Sequence, residues 1–99
     1  RLPHDVVVGA DVLYERDAPA AIAPLLRALT KPCGALVLLA DDAARPYGDA
    51  HRAELLRRLE DDDAPFTLQA SERVDVPAAN GAWPHQIQLL LLRRSCTNG

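Results

Sequence analysis

Residues 5–40, DVVVGADVLYERDAPAAIAPLLRALTKPCGALVLLA, decide the fold. Asp5-Val6-Val7-Val8-Gly9-Ala10 is short, apolar and rich in β-branched side chains, with no in/out alternation. Such a run predicts a strand buried on both faces. Asp11 to Asp17 is polar and forms the loop after it. Asp17 is placed to cap a helix, with Pro19 in its first turn. Ile22, Leu25, Leu26 and Leu29 stand at i, i+3, i+4 and i+7 and make one apolar stripe. Pro24 falls inside that helix, where it costs about 3 kcal/mol, and predicts a kink or a later start. Lys31-Pro32-Cys33-Gly34 ends the helix and turns the chain. Ala35-Leu36-Val37-Leu38-Leu39-Ala40 is a second buried-strand run. A strand, a helix and a strand joined by tight loops make a βαβ unit, with parallel strands and a right-handed crossover.

From there the pattern changes. Asp41 to Gly48 is a loop, and Asp49 is a candidate cap for a second helix over Ala50 to Glu60. Arg52, Leu55, Leu56 and Leu59 share one side of it. Glu60-Asp61-Asp62-Asp63 is read as its solvated end, running into the loop Asp61 to Pro65. Phe66 to Val74 begins by alternating apolar and polar residues, as a half-buried strand does. Asp75 to Pro84 holds an Asn80-Gly81 pair and Trp83 and reads as a turn-rich connection. His85 to Arg94 is a last strand, alternating at first and ending in Leu89-Leu90-Leu91-Leu92. A short connection without a helix makes the last two strands antiparallel. The expected order is β-α-β-α-β-β with a C-terminal antiparallel hairpin. Ser95 to Gly99 is expected to fray as a polar tail.

The composition sets outer limits. Ninety-nine residues with 48% hydrophobic and 25% charged side chains make one globular domain at most. The net charge of −3 argues against a general binder of nucleic acid or of membrane surfaces, which needs a basic face. Leu89 to Leu92 is the longest unbroken apolar run, and a spanning helix needs about 20 residues. No signal-peptide pattern is visible. Cys33 and Cys96 lie far apart in a chain with its own core, so they read as free thiols in a reducing, cytoplasmic setting. There is no methionine, even at position 1, which suggests a piece of something longer.

In an open α/β sheet, ligands bind beyond the carboxyl ends of the parallel strands. Two loops fall there, Ala10 to Arg16 and Asp41 to Tyr47. Asp11 offers a carboxylate at a strand end, either capping local amides or meeting a cationic or polar substrate. Tyr14 returns to the same rim. Asp41 and Asp42 are adjacent acids that point in different directions. Arg45 and Tyr47 contact a ligand or pair with the acid-rich loop. His51 is expected to face solvent. His4, His51 and His85 have no metal-site spacing, and Cys33 has no activating base near it. The glycines Gly9, Gly34, Gly48, Gly81 and Gly99 form no Gly-x-Gly loop of the kind that holds a dinucleotide.

Asp5 to Tyr14 resembles the fourth strand and following motif of the seven-strand, class I S-adenosylmethionine-dependent methyltransferases. Asp11-Val12-Leu13-Tyr14 matches the Asp-x-x-Tyr motif of the protein-lysine methyltransferase branch. Leu29-Thr30-Lys31-Pro32-Cys33-Gly34 is similar to the Leu-x-x-Pro-Gly-Gly approach to the fifth strand, with Cys33 in place of the first glycine. Asp41 to Tyr47 is similar to an Asp-Pro-x-Arg-x-Tyr stretch of a bacterial branch, and the terminal hairpin to the sixth and seventh strands.

The resemblance covers residues 1–94 as the C-terminal half of a Rossmann-like methyltransferase sheet, with 95–99 as the tail. It implies that Asp11 holds and orients a lysine amine, that Tyr14 lines the lysine channel or caps the methyl-transfer site, and that Ala10 lies near the methionine moiety of S-adenosylmethionine. Arg45 and Tyr47 would face a protein substrate. The Gly-rich cofactor loop would come from an N-terminal half in cis. Without that half, Val6-Val7-Val8 is a bare apolar edge open to another chain. The alternative is a non-catalytic α/β interaction module, or an inactive remnant, that adds this edge to a partner's sheet.

Overall fold

A computed structural model describes residues 3–61, 64–77 and 85–96. Six elements follow one another: β1 (Val6–Ala10), α1 (Ala18–Leu29), β2 (Leu36–Asp42), α2 (Gly48–Glu60), β3 (Phe66–Val76) and β4 (His85–Arg94). The expected turn at Asn80-Gly81 and Trp83, the acids Asp62 and Asp63, and the end of the tail lie outside the described residues.

The Rossmann-like methyltransferase half-sheet is corrected by the observed sheet. Four strands form one mixed sheet in the spatial order β1-β2-β4-β3. Only β1 and β2 are parallel, Val7 opposite Val37 and Gly9 opposite Leu39. β4 enters between β2 and β3 and is antiparallel to both. The physical reason lies in β4 itself. Its leucine run meets β2 on one side, Leu92 opposite Val37 and Leu90 opposite Leu39, and β3 on the other.

The helices depart from a doubly wound arrangement too. Ala23 and Leu26 of α1 and Leu55 and Leu59 of α2 join Val37, Leu39, Phe66, Leu90 and Leu92 in one core. Both helices therefore cover the same face of the sheet. The opposite face carries Val6, Val8, Leu36 and Leu38, all exposed. The expectation that β1 and β2 are buried on both faces is wrong on this account. Their apolar runs were read correctly as strands, but no element of the described chain covers the second face.

Local features follow from side-chain chemistry. Pro24 sits inside α1, where it supplies no amide to the helix, and it is solvent-exposed. The buried side of α1 is Pro19, Ala23 and Leu26, and Leu25 of the predicted stripe points outward. Asp17 holds the cap position of α1 without a side-chain hydrogen bond. α2 starts two residues before the expected Ala50, with Tyr47 at the cap and Asp49 in the first turn. A bulge between Leu68 and Ala70 shifts the register of β3 against β4.

The free-thiol reading of the cysteines is also corrected. Cys33 and Cys96 form a disulfide across a sequence separation of 63. The turn after α1 and the segment after β4 meet because Gly34 N–H donates to Arg94 O and Arg94 N–H to Ala35 O. Ser95 is likewise held, its amide donating to Pro65 O, so the tail does not fray at its first two residues. Among the described residues, no helix is long and apolar enough to cross a membrane.

Candidate functional site at the carboxyl ends of the parallel strands

The site grows from the end of β1. Asp11 N–H donates to Ala40 O at 2.8 Å, so the ladder continues one residue past the strand. Asp11 itself takes φ 54, a left-handed conformation that most side chains avoid and that Asp tolerates better than most. This bend ends the strand and leaves the carboxylate exposed. Leu13 then drops into the core. Its neighbour Tyr14 is thereby turned outward and stands exposed.

The second loop is a set of tight turns. Ala44 N–H donates to Asp42 Oδ1 at 2.9 Å, Arg45 N–H to Asp42 O, and Gly48 N–H to Arg45 O. Tyr47 has φ 62, the second left-handed residue other than glycine among those described. Residues held in such regions cost about 1–3 kcal/mol each and cluster at ligand sites.

These turns bring Arg45 between the two motif residues. Its guanidinium lies 3.5 Å from Asp11 Oδ1 and 5.4 Å from the centroid of the Tyr14 ring. Arg45 Nε is buried with no hydrogen-bond partner. The pair with Asp11 is long and exposed, and such pairs contribute about 0–1 kcal/mol. Asp11 can therefore exchange Arg45 for another donor at little cost.

Beneath the loops is a rigid clamp that the sequence reading missed. Asp41, 6% exposed, faces the helices, and Arg52 of α2 donates from Nη1 to both its oxygens at 2.9 and 3.0 Å. Arg52 also meets Asp49, which Arg73 approaches at 3.6 Å. Gly48 leaves room for this guanidinium, since a Cβ there would lie 3.2 Å from Arg52 Nη1. Burial pushes the Asp41 carboxyl above its ordinary value, and the Arg52 charge and hydrogen bonds partly offset that. The clamp ties the end of β2 to the start of α2 and so fixes the loop between them. Its signal in the sequence was an arginine in line with Leu55 and Leu59, and an aspartate closing an apolar strand.

His51, expected to face solvent, is half-buried. Its Nδ1 lies 2.7 Å from Leu13 O. A carbonyl only accepts, so Nδ1 is the donor of this hydrogen bond. With Tyr14, Arg16, Tyr47 and Ala50, His51 lines a cavity of about 540 Å³.

The structure thus places Arg45 against both Asp11 and the Tyr14 ring, and Tyr47 on the cavity that Tyr14 also lines. Ala10 immediately precedes Asp11 and is exposed. Asp42 is spent on its own turn and Asp41 on Arg52. Cys33 is in the disulfide, at the opposite end of β2 from this rim.

The same residues do not form a cradle for S-adenosylmethionine. The chain has no Gly-x-Gly loop, and Asp41 near the end of β2 is turned into the helix layer and held by Arg52. Among the described residues, no cluster of three or more His, Cys, Asp or Glu could hold a metal ion. No family model, no curated protein and no solved structure matches the chain.

Proposed function

We propose that this rim is the acceptor side of an S-adenosylmethionine-dependent methyl transfer, with a protein lysine amine as the nucleophile. The observation that carries the reading is the contact group of the Asp-x-x-Tyr motif. Asp11 is an exposed carboxylate at a strand end, and Arg45 links it to the Tyr14 ring, 3.5 Å from the one and 5.4 Å from the centroid of the other. The donor site is not formed by these residues, so their work is to bind and orient. The ammonium of a lysine replaces Arg45 at Asp11, and the Tyr14 ring packs on the lysine stem. The ammonium is not a nucleophile and must first lose a proton to water. Asp11 then accepts a hydrogen bond from the neutral amine and fixes its lone pair in one direction. Placement of this kind is a large part of what a protein contributes when the leaving group is already activated.

The test is transfer of labelled methyl groups to protein lysines by the protein as isolated from its source. Asp11→Asn and Asp11→Ala are expected to lower turnover at least about 10²-fold, about 2.7 kcal/mol in the barrier, with little change in affinity for S-adenosylmethionine. Near-normal turnover in both variants rejects the role.

A second reading rests on β1. Among the described residues it pairs with β2 alone, and Val6 and Val8 are exposed. This favours an interaction module that adds its β1 edge to another sheet, as strand-addition partners do. Affinity capture that returns no stable partner would count against it.

A further inference from the structure

The cavity behind Tyr14 has a charge character of its own. Its lining residues are Tyr14, Arg16, Tyr47, Ala50 and His51, with no carboxylate among them. Arg45, Arg52, Arg57, Arg58 and Arg73 each lie against a described acid. Arg16, like Arg93 of β4, has no such partner among the described residues, although the chain carries more acids than bases; of the two, only Arg16 lines this cavity. Tyr14 and Tyr47 are both exposed, Tyr47 at 79%. Tyrosine and arginine are among the side chains enriched where the binding energy of an interface concentrates.

Resting on the lysine reading above, we infer that this cavity docks an acidic residue of the substrate segment, so that the acceptor lysine lies within an acidic stretch. Tyr14 is common to both halves of the site. On one side it meets Arg45 and, through it, Asp11. On the other it lines the cavity with Arg16. A segment crossing Tyr14 therefore meets a carboxylate for its ammonium and a guanidinium for its carboxylate. A planar guanidinium binds a carboxylate through two parallel hydrogen bonds. The opposite placement of charges puts a lysine on Arg16 and an acid on Asp11, two like-charge contacts, so the arrangement also selects where on the site the lysine sits.

The probes are two fluorescent peptides, one with Lys between two Glu residues and one with Gln in place of both Glu, titrated against the 99-residue chain at low salt. The Glu peptide is expected to bind about 5- to 10-fold more tightly, an advantage that shrinks as salt screens the charges. Arg16→Gln should bring the ratio to about one, and Arg16→Lys should restore part of it. Equal binding of the two peptides, or a preference that survives Arg16→Gln, overturns the inference. A third peptide with norleucine in place of Lys separates it from the lysine reading. If that peptide binds as well as its parent while the Glu preference persists, the lysine reading fails and the acidic site stands. If binding needs the lysine but ignores the Glu residues, the reverse holds. Absence of binding by all three peptides at millimolar concentration rejects both.

Discussion

Asp41 and Arg52 show how two residues set the geometry around them. A charge removed from water is costly unless its partner comes with it, and breaking a buried pair costs about 3–5 kcal/mol because one charge is left behind. Asp41→Ala or Arg52→Met alone is therefore expected to lower stability by about 3 kcal/mol in urea unfolding. The double change Asp41→Leu with Arg52→Met should cost much less than the sum. A double variant as damaged as the sum would show that the pair is not the unit. The pair also has a pH signature. Burial raises the folded-state pKa of Asp41 above the ordinary 3.8. The folded chain then binds this proton more tightly than the unfolded chain. Its contribution favours folding below 3.8 and is lost as the pH climbs through the raised value. Relative to Asp41→Asn, the parent chain should lose stability as pH rises across that window. A flat difference between the two would contradict the raised carboxyl.

At the scale of elements, the two edges of the sheet are unequal. β3 closes one side with Glu72, Arg73 and Asp75 and a bulge, the devices that discourage pairing with another chain. β1 closes the other with Val6, Val7 and Val8, and Val8 is 67% exposed on the uncovered face. Such a strand invites edge-to-edge association. Val8→Lys is expected to raise the concentration at which the chain remains monodisperse in light scattering, with a stability change within about 0.5 kcal/mol. Unchanged scattering would place the association elsewhere. The elements themselves were largely legible, because apolar runs and helical stripes are local patterns. Their packing was not. A run such as Leu36 to Leu39 announces that water is unwelcome on both faces, but it cannot say which face the helices take. For the same reason Leu25 looked like core. In the folded chain Ala23 and Leu26 hold that place, since α1 rolls to bring Pro19 and Ala23 against the sheet.

For the whole molecule, the Cys33–Cys96 disulfide joins the turn after α1 to the segment beyond β4. A bridge of separation 63 removes much freedom from the unfolded chain, worth about 4 kcal/mol by loop-closure entropy. Reduction, or Cys33→Ser, should lower the melting temperature by well over about 10 °C for a chain of this size. A melting temperature unmoved by reductant, with two thiols titrating in the untreated protein, would show that the bridge does not form. The bridge is far from the rim, so peptide binding at Tyr14 should follow stability and show no separate response to reduction.

The elements, the strand-end position of Asp11 and the neighbouring loops that carry Tyr14, Arg45 and Tyr47 are legible in the order of residues alone, because strand and helix periods and a loop's place after a strand are local properties. The mixed sheet with β4 inside it, the single covered face, the disulfide, the buried Asp41–Arg52 clamp and the hold of Leu13 on His51 come from the folded chain. Each of these joins residues far apart in the chain. Strand pairing, burial and partner choice depend on what the rest of the chain brings alongside, and no local pattern records that.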